Sequence, residues 1–176
     1  ARTGIDPERL IAVVRREGGI GGPYVQFAEN HYVANDVVGG PLAGPMQRLE
    51  ALRRALTALP LETPLVDFTI MSGYGIRRDP FTGQAALHAG LDLSAPARTA
   101  VLSTAPGTVV VAGWQNEYGN MVEIDHGYGI RTRYAHLARV DVKLGEAIGT
   151  RVQVGLLGST GRSTGPHLHY EVLFEG

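Results

Sequence analysis

From residue 66 onward the chain repeats one short pattern that strongly limits its fold. Runs of β-branched and aromatic residues alternate with glycine-containing turns about every ten residues, as in DFTIM, GTVVVAGW, NMVEIDHG and HLHYEVLF. This spacing is typical of short antiparallel strands, because a helix needs a sustained apolar period of 3.6 residues. No such helical period follows residue 60. We therefore predict a mainly β domain over residues 66–176.

The first part of the chain, residues 1–65, predicts a helical and loop extension. A helix is expected over residues 6–17, because Asp6 can cap it and Pro7 suits the first helical position. A second helix is expected over residues 45–59, where leucines recur at helical spacing.

Near the C-terminus, the segment GPHLHYEV places two of the chain's six histidines one residue apart. The stretch has the composition of a strand, in which residues two apart point to the same face. His167 and His169 therefore share a face, and Leu168 points the other way, into the core. Two imidazoles side by side are either an accident of the surface or two members of a polar site. The pair alone does not decide between these.

A second segment, HAGLD, places His88 four residues before Asp92. Gly90 favours a loop that leads into a strand rather than a helix. With one imidazole of the HLH segment, this pair would supply two nitrogens and one carboxylate oxygen. That set suits zinc with a fourth position left for water, which is the mark of a catalytic site. Taken alone, the HxxxD spacing is more often a chance pairing.

The remaining histidines carry weaker signals. His136, in YAHL, lies at the end of a predicted strand, where a lone histidine is more often structural. His126, in IDHGYG, has the pattern of a turn residue, and we assign it no chemistry. His31 lies in the N-terminal segment and is expected at the surface.

Charge and cysteine content exclude several classes of function. The chain carries 16 Lys and Arg against 17 Asp and Glu, so it has no basic footprint for nucleic acid or a membrane surface. The absence of cysteine excludes a disulfide framework and a thiol nucleophile. No apolar run approaches the roughly 20 residues of a membrane span. No signal peptide is visible, so we expect any signal or anchor to lie outside this chain.

Four segments in order carry a resemblance to a known family: SGYGIRRDPFTG, HAGLD, AGWQNEYGNMVEIDHGYGIRTRYAHL and GSTGRSTGPHLHYEV. Together they resemble the LytM-type zinc metallopeptidases of family M23, over residues 66–174. Each element alone is weak, but the ordered combination is specific. The resemblance implies an antiparallel β-sandwich with a groove, of the LytM or lysostaphin-like type, for residues 66–176. The N-terminal helical extension lies outside it.

The resemblance also implies a role for each site residue. His88, Asp92 and His169 match the metal ligands for one zinc ion per chain, and His136 and His167 match the two histidines beside the metal. Zinc lowers the pKa of a bound water to about 7 and polarises a carbonyl. No glutamate general base is expected in these motifs, so an imidazole would take the proton. We favour His167 as the base and His136 as the group that orients it or stabilises the intermediate.

Substrate and location follow from the resemblance rather than from composition. It implies hydrolysis of peptide cross-links or stems in peptidoglycan, with DD-endopeptidase action favoured over glycyl-glycine cleavage. It implies a periplasmic or cell-envelope location and leaves an envelope regulatory protein open as a partner. Tyr74 and Tyr118 are candidates for the groove wall, with core or turn roles equally open.

Three other interpretations are weighed against the enzyme. A non-catalytic LytM-type factor that activates cell-wall amidases usually lacks one of the five site residues, and here all five are present. A lipoyl-type carrier needs a lysine at a hairpin tip, but Lys143, the only lysine, lies outside such a tip. Finally, residues 19–45 could lie across the groove as an inhibitory segment or simply join the two helices.

Overall fold

The computed structural model describes residues 43–175. Helix α1 spans Ala43–Ala58, which confirms the predicted helix over residues 45–59 to within about two residues at its start. The predicted helix over residues 6–17 and His31 lie outside the described residues.

The chain forms two compact units, residues 1–57 and residues 58–176. The domain boundary that we expect after residue 65 stays a prediction. Within residues 43–175, no helix is long and apolar enough to cross a membrane.

The second unit is built from twelve short strands and one 3₁₀ helix over Asn116–Tyr118. The strands are β1 Thr69–Ser72, β2 Gly75–Arg78, β3 Ala85–His88, β4 Leu91–Ser94, β5 Ala100–Leu102, β6 Gly107–Gln115, β7 Gly119–Asp125, β8 Ile130–Leu137, β9 Arg139–Val140, β10 Ala147–Ile148, β11 Gln153–Leu156 and β12 Leu168–Phe174. The prediction of a mainly β domain is confirmed.

The strands form three antiparallel sheets. The largest has seven strands in the order β1-β4-β12-β8-β7-β6-β10. The second has three, in the order β5-β11-β9, and the third is the β2–β3 hairpin. Because β12 lies between β4 and β8, the sheet brings the HAGLD, YAHL and HLH segments side by side.

The hydrophobic core draws on both larger sheets. Leu93, Val122 and Leu168 come from the seven-stranded sheet, and Val101 and Val154 come from the three-stranded one. All five side chains are almost fully buried. Leu168 therefore points into the core as predicted, which leaves the opposite face of β12 for His169. His167 immediately precedes β12 and forms an isolated bridge with Gly158.

Candidate metal centre

The register of the large sheet brings two predicted metal ligands together. Asp92 on β4 lies directly opposite His169 on β12. His88 is the last residue of β3, and a short turn connects it to β4. The three side chains form a buried cluster with the donor types of a metal site.

The distances among these three side chains fit a zinc ion. His88 Nε2 lies 3.0 Å from Asp92 Oδ1 and 3.2 Å from His169 Nδ1, which lies 2.9 Å from the same oxygen. In a tetrahedral zinc site with bonds of about 2.0–2.2 Å, ligand atoms lie roughly 3.3–3.6 Å apart. The observed triangle is close to this size.

The outer ring nitrogens of both histidines fix which atoms face inward. His88 Nδ1 lies 2.7 Å from the carbonyl oxygen of Gly73, and His169 Nε2 lies 2.9 Å from Glu171 Oε1. A carbonyl and a carboxylate oxygen can only accept, so these nitrogens donate. In the neutral rings His88 Nε2 and His169 Nδ1 then carry lone pairs that point at each other and at Asp92. Three acceptors in contact repel one another unless a cation or a shared proton lies between them.

The electrostatics of the cluster reflect this demand for positive charge. Burial lowers the pKa of His169, but the hydrogen bonds to Asp92 and Glu171 outweigh burial and raise the pKa to about 9. Burial raises the pKa of Asp92, but the hydrogen bond from His169 and the nearby imidazoles lower it to about 2. A proton on His169 therefore supplies positive charge where a bound metal ion would otherwise supply it.

Glu171 is a residue of the candidate site that sequence reasoning missed. The sequence analysis expected no glutamate general base and gave Glu171 no other role, yet Glu171 follows His169 by two residues and is only 3% exposed. Its carboxylate accepts hydrogen bonds from His169, from the Tyr118 hydroxyl at 3.0 Å and from Arg133 Nη1 at 3.1 Å. The signal was present in HLHYE, because alternate residues of a strand share a face. Glu171 accepts from the outer nitrogen of His169, a candidate ligand, and so orients that ring.

Arg77 is a second residue that the sequence analysis left without a role. Arg77 lies on strand β2, and its Nη2 donates to Asp92 Oδ2 at 3.1 Å. Oδ2 is thereby engaged, while Oδ1 faces the two imidazoles. No spacing in the sequence indicates this contact, since it depends on how the hairpin lies against the sheet.

A β-bulge aims His136 at the same site. The pairing of β7 with β8 shifts register between Asn120 and Val122, and His136 has a φ of 60°. Tyr134 and Leu137 both belong to the core, although side chains three residues apart face opposite sides of a regular strand. The extra residue of the bulge therefore lies between them. Bulges re-aim side chains in this way, and without one His136 would face the core.

Backbone carbonyls hold both of the non-ligand histidines. His136 Nδ1 donates to the carbonyl of Thr160 at 2.8 Å, and His167 Nδ1 donates to that of Gly165 at 2.8 Å. The two ring centroids lie 4.9 Å apart, and His167 Nε2 lies 3.6 Å from Asp92 Oδ1. Burial lowers the pKa of His136 to about 4, so this ring is neutral near pH 7.

Two cavities flank the cluster, and Asp92 lines both of them. One is lined by the three candidate ligands, His136 and Tyr118, and the other by His167 and the tip of the β2–β3 hairpin. Tyr118 therefore lies where a groove wall was expected. Tyr74 is 69% exposed and lines neither cavity.

His126 has a structural setting away from the cluster. It follows β7, as expected of a residue that leaves a strand, but it is buried. Its Nδ1 donates to the carbonyl of Pro106 at 2.8 Å, and its Nε2 lies 2.8 Å from the hydroxyl of Thr132.

Comparison with known proteins gives a consistent result. Residues 86–176 match the model of peptidase family M23. The DD-carboxypeptidase/endopeptidase Mpg of Neisseria meningitidis is 44% identical over 113 residues, which is 64% of this chain and 26% of the relative. The peptidoglycan DD-endopeptidase ShyA of Vibrio cholerae is 38% identical over 128 residues, 72% of this chain and 29% of the relative. This chain thus spans between a quarter and a third of the length of these curated relatives.

Solved structures show the same similarity in three dimensions. A zinc-containing peptidase from Vibrio cholerae superposes with a TM-score of 0.60 at 38% identity, covering 64% of this chain and 36% of that one. The catalytic domain of lysostaphin from Staphylococcus simulans superposes with a TM-score of 0.58 at 32% identity, covering 62% of this chain and 82% of that one. The expectation of a LytM or lysostaphin-like fold is confirmed.

Proposed function

The chain belongs to peptidase family M23, and on that premise we propose that it is a zinc-dependent endopeptidase of peptidoglycan. Its substrates are peptide cross-links or stems of the cell wall, with DD-endopeptidase action as the specific activity. The names of Mpg and ShyA support this substrate class. We further propose that the enzyme acts in the periplasm or cell envelope, because its proposed substrate lies there.

One observation carries the metal part of the proposal: two imidazole lone pairs and a carboxylate face one another. His88, Asp92 and His169 would hold the ion, one per chain, through Nε2, Oδ1 and Nδ1. When bound, zinc polarises a scissile carbonyl and makes water more acidic. Glu171 and the Gly73 carbonyl keep the two imidazoles in the tautomers that ligation requires.

His136 and His167 are the proposed proton-transfer residues. Each donates its Nδ1 proton to a backbone carbonyl, so each neutral ring has Nε2 available as an acceptor. His167 Nε2 lies 3.6 Å from Asp92 Oδ1, beside the proposed metal position, and His167 is our choice for the general base. His136 orients it or stabilises the intermediate, as the resemblance led us to expect. An extended peptide would occupy both cavities, with its scissile bond above Asp92.

The amidase-activating factor is the alternative, and the geometry favours the enzyme over it. Such a factor needs neither a metal triangle nor poised imidazoles. In this chain all five side chains are present, and each lines one or both of two cavities that share Asp92.

The experiment measures zinc content and the release of soluble fragments from purified cross-linked peptidoglycan. We expect the wild type to hold about one zinc per chain and to convert cross-linked dimers to monomers, as mass spectrometry of the products would show. His169→Ala should lose both properties. His126→Asn, which alters a buried histidine away from the groove, should keep both.

Two outcomes would contradict the proposal. A wild type without bound zinc would refute the metal centre. Bound zinc without digestion, together with stimulation of a purified amidase, would establish the activating factor instead.

A further inference from the structure

The β2–β3 hairpin carries one metal ligand, His88, yet it is attached to the rest of the domain by few contacts. Among the described residues it pairs with no other strand. Its large apolar side chains face solvent: Ile76 is 81% exposed, Leu87 61% and Phe81 52%. Hydrophobic burial therefore contributes little to holding the hairpin against the sheet. The polar contacts must do so.

Those polar contacts lie along the hairpin. At its base, His88 contacts Asp92 and His169. At its middle, Arg77 donates to Asp92. At its tip, Asp79 accepts two hydrogen bonds of 2.8 Å from the guanidinium of Arg162. The tip contact is the only one of these that involves no metal-ligand candidate.

Arg162 is well placed to anchor the tip because its own backbone is fixed. Its N–H donates to the carbonyl of Glu117 at 2.7 Å. At Gly161 a Cβ would lie 2.3 Å from the nitrogen of Gly119, so this loop is pressed against the start of β7. The anchor is thus part of the large sheet's framework, while its side chain reaches the hairpin.

Both partners are held in the paired geometry. Asp79 Oδ1 also accepts from the N–H groups of Phe81 and Thr82 at the hairpin turn. The guanidinium of Arg162 lies 4.4 Å from the ring centroid of Phe81, within cation–π distance. The hydrogen bonds from Arg162 and from the turn lower the pKa of Asp79 well below its usual range.

We propose that Asp79 and Arg162 are positioning residues for the metal centre: their ion pair docks the hairpin and so holds His88 against Asp92 and His169 before the metal arrives. This inference rests on the metal centre of the proposed function. By thermodynamic linkage, an ion that binds all three ligands would also strengthen the docking of the hairpin. Because Arg162 lines both cavities, zinc affinity is a cleaner readout than activity.

The test compares zinc affinities of the full chain with Asp79→Asn, Arg162→Gln and the double variant, by competition with a chromophoric chelator. Asp79→Asn keeps the Oδ1 acceptor for the turn but removes the charge and the Oδ2 acceptor for Arg162 Nη1. Each single change should weaken zinc binding roughly fivefold, the upper range for an ion pair open to solvent. The double variant should be no weaker than the singles, because the pair acts as a unit.

A matched control and a second readout separate docking from general destabilisation. Arg139→Gln breaks another solvent-accessible Arg–Asp pair, with Asp141, that touches no ligand, and it should bind zinc like the wild type. In metal-free protein, amides of residues 75–88 should exchange hydrogen faster in the pair variants, while amides of β7 and β8 should not. Saturating zinc should restore the hairpin's protection.

Wild-type zinc affinity in both single variants, additive losses in the double variant, or unchanged exchange in the hairpin would each overturn the proposal. A wild type that binds no zinc would instead refute the metal centre itself, so the two failures are distinguishable.

Discussion

His169 and His136 lie on adjacent strands, with ring centroids 5.8 Å apart, and each is 7% exposed. Their pKa values nevertheless move in opposite directions. The pKa of His169 rises to about 9, and that of His136 falls to about 4. Burial acts on both in the same sense, so burial does not explain the difference.

The neighbours of each ring explain it. His169 contacts two carboxylates, those of Asp92 and Glu171, at 2.9 Å each. His136 contacts the uncharged carbonyl of Thr160 and faces another imidazole, that of His167. One side of the groove therefore attracts a cation, and the other keeps a neutral ring that can accept a proton. In the proposed function, carboxylate placement would divide metal binding from proton transfer within a few ångströms.

The largest expected effect tests this division from the neutral side. His136→Ala and His167→Ala should each lower kcat about 10²- to 10⁴-fold, the usual contribution of a positioned acid or base. Both variants should keep zinc, because neither ring supplies one of the three clustered ligand atoms. Zinc content and steady-state hydrolysis of a cross-linked peptide dimer check this.

The pair of variants also assigns the roles. If either one keeps full turnover, that histidine has no part in the reaction. If either variant loses zinc, the proposal that His136 and His167 take no part in metal binding is wrong.

The sequence alone predicted the candidate ligands because their signals are local. HLH carries a spacing that places two side chains on one face of a strand, and HAGLD places a histidine and an aspartate within one short segment. The family resemblance supplied their order and their roles as ligands. The sheet was predictable for a similar reason, since strand-length apolar runs and glycine turns recur along the chain. Their assignment as zinc ligands stays a prediction until the ion is measured.

Other features depend on contacts between distant segments. Asp79 and Arg162 are 83 residues apart and meet only because the hairpin folds over the loop before β12. The re-aiming of His136 depends on a bulge, and YAHL gives no sign that the alternation breaks there. Glu171 was partly predictable, because the two-residue period of a strand places it on the same face as His169 but does not show that the two side chains form a hydrogen bond.

A medium effect is expected from the carboxylate side of the comparison. Glu171→Gln keeps an acceptor for His169 but removes the charge, and it should weaken zinc binding 10- to 100-fold, as changes behind a metal ligand typically do. Glu123→Gln is the matched control, because Glu123 pairs with Arg133 in the same network but contacts no ligand. Chelator competition measures both.

Equal zinc affinity in Glu171→Gln and the wild type would show that Asp92 alone defines the cation-attracting side. Equal losses in both variants would indicate that the whole ion-pair network acts, rather than the carboxylate beside His169.

The smallest expected effect concerns a histidine that burial keeps neutral outside the groove. Burial lowers the pKa of His126, and this outweighs the Pro106 hydrogen bond and the charge of Asp125, which raise it. The unfolded chain then binds a proton more readily than the folded one. The contribution of the neutral His126 to the free energy of unfolding should be fully present above pH 6.5, the usual histidine pKa. It should be lost as the pH drops towards the lower pKa of His126 in the folded protein, by at most about 1.4 kcal/mol per pH unit.

His126→Asn, which can still donate to the Pro106 carbonyl, removes this titration. In metal-free protein its unfolding free energy from urea titrations should therefore fall less steeply between pH 7 and pH 5 than that of the wild type. Identical slopes would mean that His126 accepts a proton in the folded state at its ordinary pKa. Thr132, whose hydroxyl lies 2.8 Å from Nε2, would then have to accept a hydrogen bond from the charged ring. In that case burial without a carboxylate would not be enough to keep a histidine neutral, and the explanation given for His136 would weaken with it.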